Sequence, residues 1–157
     1  MFKNPLVKKI LSALAVAGFG FVLLNLTFIF DALFQGLLRL IFRLFTPVDL
    51  MMTFNWFPSL MHGLFLVIIG LLSWFVFRSK LSIFFKAVYM TVPMAVALVT
   101  LGMFLFSSPL PAFSLGALLV IGVLYYFYRT KQPWLYYYAV ILISLTLAIF
   151  TLSGGEI

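Results

Sequence analysis

Residues 87–106 pass without a single charged side chain, and residues 134–152 do the same. Roughly 20 apolar residues in an α-helix cover about 30 Å, the thickness of a bilayer's hydrocarbon core. Backbone N–H and C=O groups find no partner in lipid, so such runs cross as helices or as closed barrels. A barrel would alternate apolar and polar residues over segments of about ten, and no such alternation is present. Composition points the same way. The chain is 66% hydrophobic and 8% charged, against roughly half and a quarter in soluble domains. The sequence predicts an all-α integral membrane protein, folded as one membrane domain over residues 1–157.

Five spans are expected, at about residues 10–30, 56–77, 87–106, 112–128 and 134–152, forming a five-transmembrane-helix bundle. The N-terminal stretch imitates a signal peptide, with Lys8 and Lys9 before an apolar run. Only about five apolar residues precede the cleavage-like Ala15-Val16-Ala17, short of the roughly 7–15 a signal peptide requires. It is therefore read as an uncleaved first span. Residues 129–133 make so short a connection that spans four and five should form a tight antiparallel pair.

Charge sets the orientation. Eight of the ten Lys and Arg residues fall in the N-terminal segment, the second-to-third connection and the fourth-to-fifth connection. In a five-span chain these lie on one side, so the positive-inside rule places the N-terminus in the cytoplasm and the C-terminus outside a cell (inner) membrane. The net charge of +7 is spread singly and in pairs beside apolar runs, which suits anionic lipid headgroups and not nucleic acid. All seven tyrosines fall near the same cytoplasmic side, as an interfacial aromatic belt would. Cysteine is absent, which removes disulfide and thiolate chemistry.

One stretch breaks the apolar monotony. In DALFQGLLRLIFRLF, residues 31–45, the polar residues Asp31, Gln35, Arg39 and Arg43 recur every fourth position. Such steps drift by about 40° each, giving a slowly winding polar stripe. A straight helix over residues 10–45 would measure about 54 Å, well beyond the hydrocarbon core. The chain must bend near Asp31, tilt steeply or project. The expected solution is an amphipathic helix at about residues 31–45 lying in the outer interface, capped by Asp31 and ended at Thr46-Pro47. Asp49 or Asn55 would help start the second span. The sharper alternative places Asp31 and Gln35 within the hydrocarbon, on a polar path or a partner-docking stripe.

Three further features are candidates. Asn25 lies in the outer half of the first span, where an amide usually bonds to a neighbouring helix. His62 lies in the outer part of the second span, on a face with Ser59, Gly63, Leu66, Gly70 and Ser73; that face of small residues should be buried. Histidine ionises near neutral pH, yet one histidine without other ligand types is poor material for a metal site. Ala13 and Ala17, beside Gly18 and Gly20, make a small-residue face on the first span, and Ser144, Ala148 and Thr151 make another on the fifth. Pro93 should kink the third span.

No glycine-rich phosphate loop, histidine metal motif or catalytic triad spacing appears, and no cofactor is expected. The leading functional expectation is a non-enzymatic accessory or scaffold subunit, or a homo-oligomer, acting through transmembrane helix contacts with lipids and other membrane helices as partners. The alternative is a small transporter or channel whose outer-leaflet polar path uses Asn25, Asp31, Gln35 and His62. A lipid-modifying enzyme using Arg39 and Arg43 ranks third.

Overall fold

The computed structural model describes residues 5–45, 57–105 and 109–153, with the side chains at 57–59 and 109 excepted. All of its regular structure is helical: α1 (Pro5–Phe45), α2 (Phe57–Arg78), α3 (Ile83–Phe104), α4 (Pro109–Arg129) and α5 (Trp134–Leu152). Each of the five carries a stretch long and apolar enough to cross a membrane. Thr46, Pro47, Asp49, Asn55 and Ser59's side chain lie outside the described residues.

The largest difference from expectation is α1. It is one helix of 41 residues, about 62 Å long, and it runs through Asp31 without a break. Asp31 is therefore an interior helical residue and not an N-cap, and no separate interfacial helix begins there. The sequence allows this: Pro5 stands at the first helical position, where its missing N–H is harmless, and the helix contains no further proline. Leu, Ala, Phe and Ile on both sides of Asp31 supply nothing that stops propagation.

α3 is the central rod and packs on all four other helices; α2 rests on α1 and α3, and α4 on α3 and α5. Small side chains explain its position. Ala87 and Ala95 of α3 and Ala139 of α5 are fully buried in one cluster with Val16, Phe127, Tyr136 and Val140. Small residues let helix backbones approach, and in lipid that close packing replaces the hydrophobic effect as the source of association. A second cluster joins Phe65 and Ile69 of α2 to Val92 and Val96 of α3.

α1 approaches α3 closely at Gly20, where an added Cβ would lie 3.0 Å from Thr91 Cγ2. Ala13 and Ala17 are half-buried beside it. The expected small-residue face of α2 is placed differently. Gly70 is exposed, Gly63 half-buried, and a Cβ at either would meet nothing within 4 Å. The buried seam runs instead through Met61, His62, Phe65 and Ile69, because bulky residues on that face reach into the α1–α3 groove while the glycines face outward.

α4 and α5 are joined by a tight turn and touch each other, though each packs on α3 as well. Gln132 N–H donates to Phe127 O (3.0 Å) and Lys131 N–H to Tyr128 O (3.2 Å), with Lys131 at φ 51°. That is a Schellman ending with lysine in the left-handed position usually held by glycine. The tyrosines divide: Tyr125, Tyr126 and Tyr128 are exposed, whereas Tyr136 is buried against Phe127 and Phe77.

Candidate functional site: a polar junction of three helices

The first three helices converge on a polar group near one end of the bundle. His62 on α2 is 6% exposed and Thr100 on α3 is 8% exposed. His62 Nε2 lies 2.9 Å from Thr100 Oγ1, and Thr100 itself donates to Val96 O at 2.6 Å. Since that hydroxyl proton goes to the carbonyl, Thr100 accepts from His62 Nε2–H, which fixes the neutral tautomer with Nδ1 unprotonated. Gln35 Nε2 donates to Asp31 Oδ1 at 3.0 Å, one turn along α1.

The two halves face each other across a gap. Asp31 Oδ2 stands 3.9 Å from His62 Nδ1, beyond hydrogen-bond reach, and Nδ1 is buried without a hydrogen-bond partner among the described residues. The contact is an ion pair only with a proton on both ring nitrogens. In the neutral tautomer two acceptors confront each other. Phe65 lies beside the His62 ring, with centroids 6.3 Å apart, and forms a cluster with Phe30 and Phe34 whose centroids are 6.2–6.4 Å apart.

Three of the residues singled out by sequence, Asp31, Gln35 and His62, therefore meet. Asn25 does not join them: its side chain is exposed and donates to Phe21 O on its own helix at 2.8 Å. Arg39 and Arg43 are exposed and lie farther along α1. Thr100 was not anticipated. Its only sequence signal was a hydroxyl in an apolar span, and Thr91 and Thr146 carry the same signal without meeting a histidine.

The junction is shallow. Thr100 is four residues from the end of α3 and His62 five from the start of α2, each about 6–8 Å along its axis. Directly inward lies the apolar cluster of Phe65, Ile69, Val92 and Val96, packed with Leu23 and Phe34. From Asp31, α1 continues for 14 residues to Phe45, about 21 Å. It thus outruns the described ends of α2 and α3 by roughly 13–15 Å.

The bundle's other end is basic. Arg78 closes α2, Lys80 follows it, Lys86 lies in the first turn of α3, and Arg129 closes α4. Among the described residues no group of three or more His, Cys, Asp or Glu side chains comes together. Comparison with known protein families, with curated proteins and with solved structures finds no match.

Proposed function

We propose that the chain is a multi-pass protein of the cell membrane, N-terminus cytoplasmic and C-terminus outside, that works by helix contact and not by chemistry. It is a non-enzymatic accessory or scaffold subunit, or a homo-oligomer. Its contact element is the outer arm of α1, residues 32–45. The observation that carries this reading is the length of α1: from Asp31 beside His62 the helix continues about 21 Å, roughly 13–15 Å beyond the described ends of α2 and α3. Along that arm Leu37, Leu40, Leu44 and Phe45 are exposed, with Arg39 and Arg43 between them. An apolar rod with two cations is suited to lie against another membrane helix or against headgroups.

The test places a photo-crosslinking side chain at Leu40 or Leu44 in intact membranes, alongside native mass spectrometry in mild detergent. The expected result is a defined adduct or oligomer, lost on Arg39→Glu/Arg43→Glu and absent when the probe sits at Val67. A strictly monomeric, adduct-free protein overturns the reading.

One observation favours a second reading, a small transporter using the junction: Asp31, Gln35 and His62 do converge. The apolar layer beneath them weighs against a continuous path. Proteoliposome flux lost on Asp31→Ala and on His62→Ala would favour transport over the contact reading.

A further inference from the structure

We infer that the basic end of the bundle holds an anionic phospholipid, with one acyl chain in the groove between α1, α2 and α3. The groove is open along one side and has a volume of about 330 Å³, at the small end of ligand pockets. Phe19, Val22 and Leu26 of α1 form one wall, Val76 and Leu81 its basic end, and Phe84, Phe85 and Val88 of α3 the other wall. The lining is almost wholly apolar. The one polar group at its edge, the Tyr89 hydroxyl, is engaged with Ser73 Oγ at 3.3 Å.

Charge selects the occupant. Arg78, Lys80 and Lys86 stand within five residues in sequence of Leu81, which lines the groove, at the same end of α2 and α3. Arg78 stacks on Trp74 at 4.1 Å, and Lys86 donates to Phe77 O at 2.8 Å. Both contacts are with neutral groups. The only carboxylate among the described residues, Asp31, is at the opposite end of the bundle. Three cations without a carboxylate partner among the described residues attract an anionic headgroup at the surface, and the neighbouring groove takes a hydrocarbon chain. A free phosphate would use the cations and leave the groove unexplained; a neutral lipid would do the reverse. The phospholipid uses both.

The experiment is native mass spectrometry of the full chain titrated with phosphatidylglycerol or phosphatidylcholine of identical chains. Phosphatidylglycerol should be retained preferentially. Arg78→Gln/Lys80→Gln should reduce that preference roughly 10-fold or more, while Lys8→Gln/Lys9→Gln, the same change in net charge elsewhere, should leave it intact. Val22→Phe, which fills the groove and keeps every cation, should also reduce retention. Soluble glycerol phosphate should not compete. Equal retention of the two lipids overturns the inference, as does equal sensitivity to the two charge variants. Full competition by glycerol phosphate means an anion site without a chain, and a protein dimer in place of lipid adducts means that a second copy fills the groove; either refutes it. Arg78→Lys/Lys80→Arg, which keeps both charges, separates loss of the site from loss of the fold.

Discussion

Gly20 offers the sharpest test of the packing. A methyl group there would lie 3.0 Å from Thr91 Cγ2 and 3.3 Å from Thr91 Oγ1, where carbon atoms settle at about 3.5–4.0 Å. Thr91 cannot easily turn away: it is 2% exposed, and its hydroxyl donates to Val88 O at 2.8 Å. The helices must part by about half an ångström, against a core that tolerates little. Overpacking of this kind costs about 1–3 kcal/mol, and the helix propensity of alanine over glycine returns up to about 1 kcal/mol. Gly20→Ala should therefore lose about 1 kcal/mol net, and Gly20→Val more. The assay is reversible unfolding in mixed micelles, with Gly18→Ala and Gly70→Ala as controls, since a Cβ at either meets nothing within 4 Å. Thr91→Ser removes the Cγ2 atom and should rescue Gly20→Ala, with a coupling energy of at least about 0.5 kcal/mol. A Gly20→Ala protein as stable as the controls, or a strictly additive double variant, would refute the close α1–α3 approach.

His62→Ala removes the bond to Thr100 but leaves Thr100 donating to Val96, so no orphaned hydroxyl remains and the loss should be about 1–2 kcal/mol by the same unfolding measurement. Asp31→Asn keeps an acceptor for Gln35 and should change stability by less than about 0.5 kcal/mol; a loss matching that of His62→Ala would mean that the carboxylate charge holds the pair. Lys131→Gly relieves the left-handed backbone strain at φ 51° and should raise stability by about 0.5–1 kcal/mol, whereas an unchanged midpoint would argue against the Schellman ending. Because the chain has no cysteine, single substitutions can report topology cleanly: Thr130→Cys should react only with reagent on the cytoplasmic side and Ser153→Cys only from outside. The same side for both would remove the orientation.

The helices themselves were largely legible, because a run of some twenty apolar residues has few alternatives in lipid. The fifth apolar run has the same bounds as helix α5. The ends of the second to fourth spans moved by one to four residues, since hydropathy marks the membrane-soluble part and not where hydrogen bonding stops. Within this chain, small residues alone did not mark the contacts. Gly63 and Gly70 promised a packing face because glycine permits close approach, but permission is not contact, and the neighbouring Met61, Phe65 and Ile69 gained more by filling the groove. Gly20 and Ala139 carry no stronger pattern in sequence than the glycines of α2. Only the partner helix distinguishes them, through Thr91 for the one and the Ala87–Ala95 face for the other.

The four-residue rhythm of Asp31, Gln35, Arg39 and Arg43 is best understood as the tail of a longer series. Val16, Gly20, Leu24 and Thr27 are the buried residues of α1, and with Asp31 they follow at steps of four, four, three and four. The interleaved three keeps this seam within about 80° of helix surface, turned toward the rest of the bundle. Asp31 and Gln35 are thus the outermost members of the packing seam, polar because they sit where the bundle approaches its end. After Asp31 the steps of four are no longer corrected by a three. Arg39 has swung about 80° from Asp31 and Arg43 about 120°, away from the face that α2 and α3 cover. The amphipathic reading rested on the same slow winding of the stripe. That stripe starts as core, passes through the His62 junction and rotates off the seam as α1 outruns its neighbours. One helix therefore needs no bend at Asp31 to serve both as a bundle member and as a projecting arm.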